Sequence, residues 1–258
     1  MKIGLIGNGA IARYVQNAIE QRSHSVDAML VRRARVPENP KLYVGSVREL
    51  PADLDLVIDC AGHTGLTAHG PDVLSRGMDL ITVSLGALAD HDFFQALEAA
   101  ALQGGSKLHL ASGAIGALDC LQAARVGRLE QVTYVGRKPP AGWQGSLAEQ
   151  KIDLAALSTG QQTHFTGTAR EAALSYPKNA NVAAAVALAG VGFDKTNVRL
   201  IADADISENI HEIEAKGSFG SFTFQINGRS LPGNPRSSAL AAMSVVSKLD
   251  SLTGETTL

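Results

Sequence analysis

Apolar and polar positions along the chain fall into two regimes. In the first, short apolar runs alternate with segments of helical period. Ile3, Leu5 and Ile6 form a run that stops at Gly7, and a helix-forming segment follows through about Ile19. Ser25–Val31 reads as a second strand. Leu54–Cys60 is a nearly continuous apolar run, the pattern of a strand buried on both faces. A loop and a helix ending near Gly77 come next, then a strand over Asp79–Ser84. Asp90 caps a predicted helix from His91 to Gln103, with Phe93, Phe94, Leu97 and Ala100 at helical spacing and Gly104 as its stop. Lys107–Ala111 is one more strand. Strands alternating with helices in this way predict an α/β, doubly wound parallel sheet over residues 1–112.

Beyond Ser112 the pattern changes. Residues 115–129 read as a helix, and strands are expected around Gln131–Val135, His164–Gly167, Asn197–Ala202, Ile210–Ala215 and Gly220–Ile226. Period-two alternation is clear in the last two: Ile210, Glu212 and Glu214 oppose His211, Ile213 and Ala215, and Phe222, Phe224 and Ile226 share a face. A second, α+β domain with a mixed or antiparallel sheet is therefore expected over 113–233. Asn234 and Pro235 then read as a cap and first helical residue. Leu240, Met243, Val246 and Leu249 recur at helical spacing, predicting a C-terminal helix within 234–258 that packs back on the first domain.

Composition narrows the functional classes. The 258 residues are 45% hydrophobic and 19% charged, with a net charge of −2. That balance offers no electrostatic case for nucleic acid or an anionic membrane. No apolar run approaches the roughly 18 residues a membrane helix needs, and the N-terminus runs straight into a strand, so a cytoplasmic protein is expected. Cys60 and His63 form a C-A-G-H pair, but two further ligands at useful spacing are missing, so no metal is expected.

The candidate chemistry begins in the first turn. Gly7, Gly9 and Ala12 form G-x-G-x-x-A between a strand and a helix. Gly7 suits a backbone conformation that a Cβ disfavours, Gly9 lets a pyrophosphate approach, and Ala12 lets the helix pack on the strand. Ala10 and Ile11 then lie at the helix N-terminus, where free N–H groups and the helix dipole favour an anion. This is the phosphate-binding turn of a Rossmann unit, and the expected ligand is NAD or NADP. About 20 residues on, where an NAD site usually places a carboxylate for the ribose 2′-hydroxyl, stand Arg32, Arg33 and Arg35; they suit a 2′-phosphate or form a solvated basic loop. The small-residue segments Ser84–Asp90 and Ala111–Asp119 follow predicted strands, where open α/β sheets bind ligands. Asn181 caps an Ala-rich helix, or that helix N-terminus presents donors to a carboxylate or carboxamide. His211 lies in a strand among acidic neighbours; near neutrality a histidine suits proton transfer, although a lone histidine is more often structural. Lys178 and Arg236 are candidates for pairing with substrate carboxylates.

Taken in order, GNGAIA, HGPDVLSRGMDLITVSLGALAD, LASGAIGALD, GRKPP, YPKNANVAAAVALAG, ENIHEIEAKGSFG and NPRSSALAA resemble the L-aspartate dehydrogenase family over essentially the whole chain. The resemblance implies a Rossmann domain joined to an α+β domain like that of dihydrodipicolinate reductase, which holds the substrate and a homodimer contact. It implies that His211 is the active-site residue and that Ala114 and Asn181 contact the nicotinamide cofactor. The implied reaction oxidises L-aspartate to iminoaspartate, which yields oxaloacetate and ammonia or feeds NAD biosynthesis. Two alternatives stay open on residues alone: a reductase of another small amino or keto diacid, and a non-catalytic NAD(P)-binding protein.

Overall fold

The structure, a computed structural model, describes residues 1–177, 179–232 and 234–255, with Pro235 and Arg236 described by their backbone only. The chain divides into two compact units, residues 1–111 with 241–258, and residues 112–240.

The first unit is built on β1 (Lys2–Ile6), α1 (Ala10–Glu20), β2 (Ser25–Leu30), β3 (Tyr43–Val44), β4 (Leu56–Asp59), α2 (His63–Ser75), β5 (Asp79–Thr82), α3 (His91–Gly104) and β6 (Leu108–Leu110). Its six strands pair in the order β3-β2-β1-β4-β5-β6, all parallel. That is the order of a Rossmann sheet, with its switch point between β1 and β4. Helix α1 turns Ala12, Val15 and Ile19 inward at spacings of three and four, onto Ile3, Leu5, Leu56 and Ile58. The C-terminal helix, Ala239–Thr253, adds Val245, Val246 and Leu249 to this core. Asp90 caps α3 by accepting from the Phe93 N–H at 3.1 Å. The helix runs through Gly104, and the left-handed stop is Gly105 instead.

The second unit holds α4 (Leu118–Val126), β7 (Leu129–Lys138), β8 (Gln161–Thr168), α5 (Ala169–Ser175), α6 (Asn181–Ala189), β9 (Thr196–Asp203), β10 (Asn209–Gly217), β11 (Gly220–Gly228), β12 (Ser230–Leu231) and β13 (Asn234–Ser238). Five strands form a mixed sheet in the order β11-β10-β7-β9-β8; β7 and β9 are parallel and the other neighbours antiparallel. Helices α4, α5 and α6 pack on it.

Three expectations are corrected here. Asn234–Ser238 is a strand paired with Ser230–Leu231, so the last helix begins at Ala239 rather than at Pro235. Asn-Pro opens turns as readily as helices, Ser237 and Ser238 are weak helix formers, and the apolar stripe starts only beyond them. Met243 is exposed on that helix, and the inward positions are Ala242, Val245, Val246 and Leu249. The predicted 115–129 helix shrinks to α4, because Ala117 takes a left-handed conformation (φ 56°) as its N-cap.

Candidate functional site

In the first unit, Gly7 leaves β1 with φ +90°, and a Cβ on it would meet the Ala61 Cβ at 3.1 Å. Both facts require glycine there. Gly9 is different: its φ is −74°, open to any residue, and among the described residues no atom beyond its chain neighbours lies within 4 Å of where its Cβ would sit. Among the described residues, neither backbone conformation nor packing demands glycine at this position, and the open space beside it leaves the backbone approachable. Ala10 and Ile11 open α1, whose first turn carries no acidic residue, so its N-terminal potential is positive. The turn therefore fits a pyrophosphate.

The basic loop after β2 is tied to this turn. Arg35 donates to the Asn8 Oδ1 at 2.6 Å while paired with Glu38 at 2.7 Å, and the Asn8 amide reaches the Tyr43 hydroxyl at 3.4 Å. Arg33 pairs with Glu49 at 2.5 Å, and Arg32 is exposed at the end of β2.

Across the same edge of the sheet lies Asp59, fully buried at the end of β4. Its Oδ2 accepts from the Thr82 hydroxyl at 2.8 Å and the Ser84 hydroxyl at 2.6 Å, and its Oδ1 from the Ala61 N–H at 2.9 Å. Burial pushes its pKa up, against these three donors, which hold it down. The carboxylate joins the chain after β4 to the chain after β5, and Ala61 is the residue that closes on Gly7.

In the second unit, the register of β7 against β10 places His211 opposite Gly136 and Ile213 opposite Tyr134. Tyr134, Gly136, Lys138 and His211 thus share one face. The Tyr134 ring lies over Gly136, where a Cβ would stand 2.7 Å from its hydroxyl oxygen, and reaches the His211 Nδ1 at 2.7 Å. Glycine at 136 is what lets that hydrogen bond form. With Nδ1 engaged, Nε2 is the nitrogen left to exchange a proton with a ligand.

The acidic neighbours expected around His211 do not shape its electrostatics. Glu212 and Glu214 point to the opposite face by strand alternation. The charge that reaches His211 is that of Lys138. Burial, with a smaller contribution from Lys138, brings the His211 pKa down to about 3, so the ring is neutral. Burial also lowers Lys138 itself, to about 8, and raises the Tyr134 phenol far enough that it stays a hydroxyl.

Comparison with known proteins agrees with both halves of the chain. The family model for the homoserine dehydrogenase NAD-binding domain matches residues 3–111, and that for the aspartate dehydrogenase C-terminal domain matches residues 119–252. The L-aspartate dehydrogenase of Ruegeria pomeroyi is 55% identical over 96% of this chain and 91% of the relative. The chain belongs to the aspartate dehydrogenase family. The L-aspartate dehydrogenase of Pseudomonas aeruginosa is 44% identical over 96% of both chains. The crystal structure of the Thermotoga maritima aspartate dehydrogenase superposes with a TM-score of 0.80 at 24% identity, covering 100% of this chain and 99% of that one, and shares its fold. This member of the family is an enzyme with a nicotinamide dinucleotide as its cofactor.

Of the residues singled out in the sequence, Gly7, Gly9, Ala10, Ile11, Arg32 and Arg33 are brought to one end of the first sheet. In the second unit, Ala114 is buried ahead of α4. Asn181 is the first residue of α6, where Ala180 and not Asn181 holds the N-cap position. Lys178 and the Arg236 side chain lie outside the described residues. Among the described residues, no group of three His, Cys, Asp or Glu is placed to hold a metal. No helix among them is long and apolar enough to cross a membrane. Sequence reasoning missed Asp59, Tyr134 and Lys138. A carboxylate ending a strand as apolar as Leu56–Ile58 was a usable signal for the first; the other two are found only through the register of β7.

Proposed function

We propose that this chain oxidises L-aspartate to iminoaspartate with NAD or NADP, the imine passing with water to oxaloacetate and ammonia, and that it catalyses the reverse amination. The observation that carries this reading is His211, a buried, neutral imidazole held at Nδ1 by Tyr134, in a chain whose relatives are named L-aspartate dehydrogenases. A dinucleotide bound at Gly7, Gly9, Ala10 and Ile11 supplies the two-electron acceptor for the substrate's Cα–H bond. His211 takes a proton at Nε2 from the substrate ammonium and releases it to solvent; after hydride transfer it takes one from the water that attacks the imine and returns it to the departing amine. The neutral ring that accepts at Nε2 carries its hydrogen on Nδ1, which donates to the Tyr134 oxygen before and after protonation, so neither protonation state loses the bond. Ala114 and Asn181 are read as cofactor contacts, and Lys178 and Arg236 as carboxylate partners. The same resemblance carries a homodimer, a cytoplasmic location and use of the imine in NAD biosynthesis.

Formation of reduced nicotinamide, followed by absorbance, tests the reaction. L-aspartate should support it, and D-aspartate, glutamate and homoserine should not; a rate with glutamate or homoserine exceeding that with L-aspartate would overturn the assignment. The basic loop bears on the choice of cofactor. Arg32→Ala and Arg33→Ala should each lower kcat/KM with NADP about tenfold relative to NAD, the scale of one charge-assisted hydrogen bond. An unchanged ratio would sink the role of these arginines.

A further inference from the structure

Strand β7 ends in a half-buried cation whose partners are too few. The Lys138 Nζ donates to the Asn179 Oδ1 at 2.8 Å and stands 5.0 Å from the centroid of the Trp143 ring. An ammonium has three donors, and a buried one is ordinarily matched by a carboxylate. Among the described residues Lys138 makes no ion pair. Trp143 is fixed where it lies: it is fully buried, and its indole N–H donates to the Ile201 carbonyl at 3.0 Å.

A second observation comes from β8, independently of Lys138. His164 sits where the register of β8 against β9 slips by one residue, between Thr163 and Phe165. Its ring meets Trp143 edge-on at 4.3 Å, and its Nδ1 lies 3.2 Å from the Tyr176 hydroxyl. The residue is 7% exposed, and its Nε2 is buried without a hydrogen-bond partner among the described residues. Buried polar atoms are rarely left so in folded proteins, which makes such an atom a pointer to a ligand. Burial, with a smaller contribution from the charge of Lys138, brings the His164 pKa down to about 4, and the same charge reaches His211, so it acts on both rings. Tyr176, kept protonated by burial, can donate to Nδ1, and Nε2 then carries the hydrogen.

The cluster therefore offers surplus donors around one positive charge, with an uncharged wall of Trp143 and Tyr176. We propose that the Lys138 ammonium and the His164 Nε2–H together hold one carboxylate of the substrate. The site selects a dicarboxylic amino acid, and this rests on the reading of the chain as an aspartate-oxidising enzyme. It also couples binding to proton transfer. Burial is the larger cause of the weak basicity of His211; a carboxylate paired with Lys138 cancels the smaller part that this charge contributes, so the base gains proton affinity when substrate arrives.

Succinate is the probe, because it carries two carboxylates, cannot be oxidised at an amine, and does not titrate above neutrality. Binding to the NAD-loaded enzyme is measured by calorimetry, and imidazole titration by NMR. Wild type should bind succinate at neutral pH, where it is a dianion, and saturation should shift the ring resonances of His164 and His211. Lys138→Met should weaken succinate binding at least about 30-fold, as loss of one partner of a buried charge pair does, and should raise both imidazole pKa values in the free protein. His164→Leu should weaken binding about fivefold, the loss of one hydrogen bond. Should Lys138→Met not fold, the wild-type titration and His164→Leu decide alone. Undiminished binding in folded Lys138→Met, or imidazoles that ignore succinate in wild type, would overturn the site. Lys138-dependent succinate binding without turnover of L-aspartate would support the carboxylate site while removing the proposed reaction.

Discussion

Replacing His211 by alanine should lower kcat at least about 100-fold while leaving dinucleotide binding intact, the scale on which a positioned acid–base group contributes. Steady-state kinetics with L-aspartate and the cofactor Kd give the two numbers. Near-normal turnover in a folded variant would remove His211 from the chemistry. The pH dependence adds a second check. The ring is neutral in the free protein down to about pH 3, so kcat/KM should carry no His211 limb near pH 6.5. Its effect falls on stability instead. The unfolded chain protonates this imidazole near pH 6.5 and the folded chain only near 3, so stability is full above 6.5 and is lost as pH falls through that window. Each such group contributes a slope of about 1.4 kcal/mol per pH unit there. His211→Ala should therefore unfold with a shallower acid dependence than wild type, by about one proton in the window from 6.5 to 4.

The same histidine marks how far the sequence could be read. Its strand was visible because Ile210–Ala215 alternates and one face of β10 is buried. Its surroundings were not, because they depend on register between segments far apart in the chain: Tyr134 is 77 residues away, and His164 reaches Trp143 only through a bulge in β8. Chain neighbours misled in the same place, since Glu212 and Glu214 adjoin His211 in sequence but project from the other face. The first unit was more legible. A parallel sheet buried on both faces writes its strands as continuous apolar runs, and the turn at Gly7 is a local signal. What escaped there was short or cooperative: β3 has two residues, too few for any period. In the second unit the helix Ala169–Ser175 passed unseen although Thr168 and Glu171 form a capping box, a signal that was present in the sequence.

Asp59→Ala should destabilise the first unit by about 3 kcal/mol, lowering its Tm by about 10 °C in a calorimetric scan. Three donors lose one acceptor: the Thr82 and Ser84 hydroxyls, which are closed to water, and the N–H of Ala61, an exposed residue. Each buried donor left unsatisfied costs about 1–3 kcal/mol, and relief from burying a carboxylate offsets part of the sum. Asp59→Asn separates the two effects. An amide keeps an oxygen toward the Ala61 N–H, and its NH2 group can donate to the hydroxyls, which rotate to accept; Thr82 Oγ1 already accepts from the Ser84 N–H at 3.0 Å. The asparagine variant should therefore lose less than half of what alanine loses. Cofactor binding should follow the same order, because Ala61 is held by Asp59 and in turn closes on Gly7, so a loosened Ala61 lets the phosphate turn move. Equal losses for the two variants would mean that charge, not hydrogen-bond geometry, holds this edge of the sheet; a lower Tm with unchanged NAD affinity would separate the carboxylate from the turn.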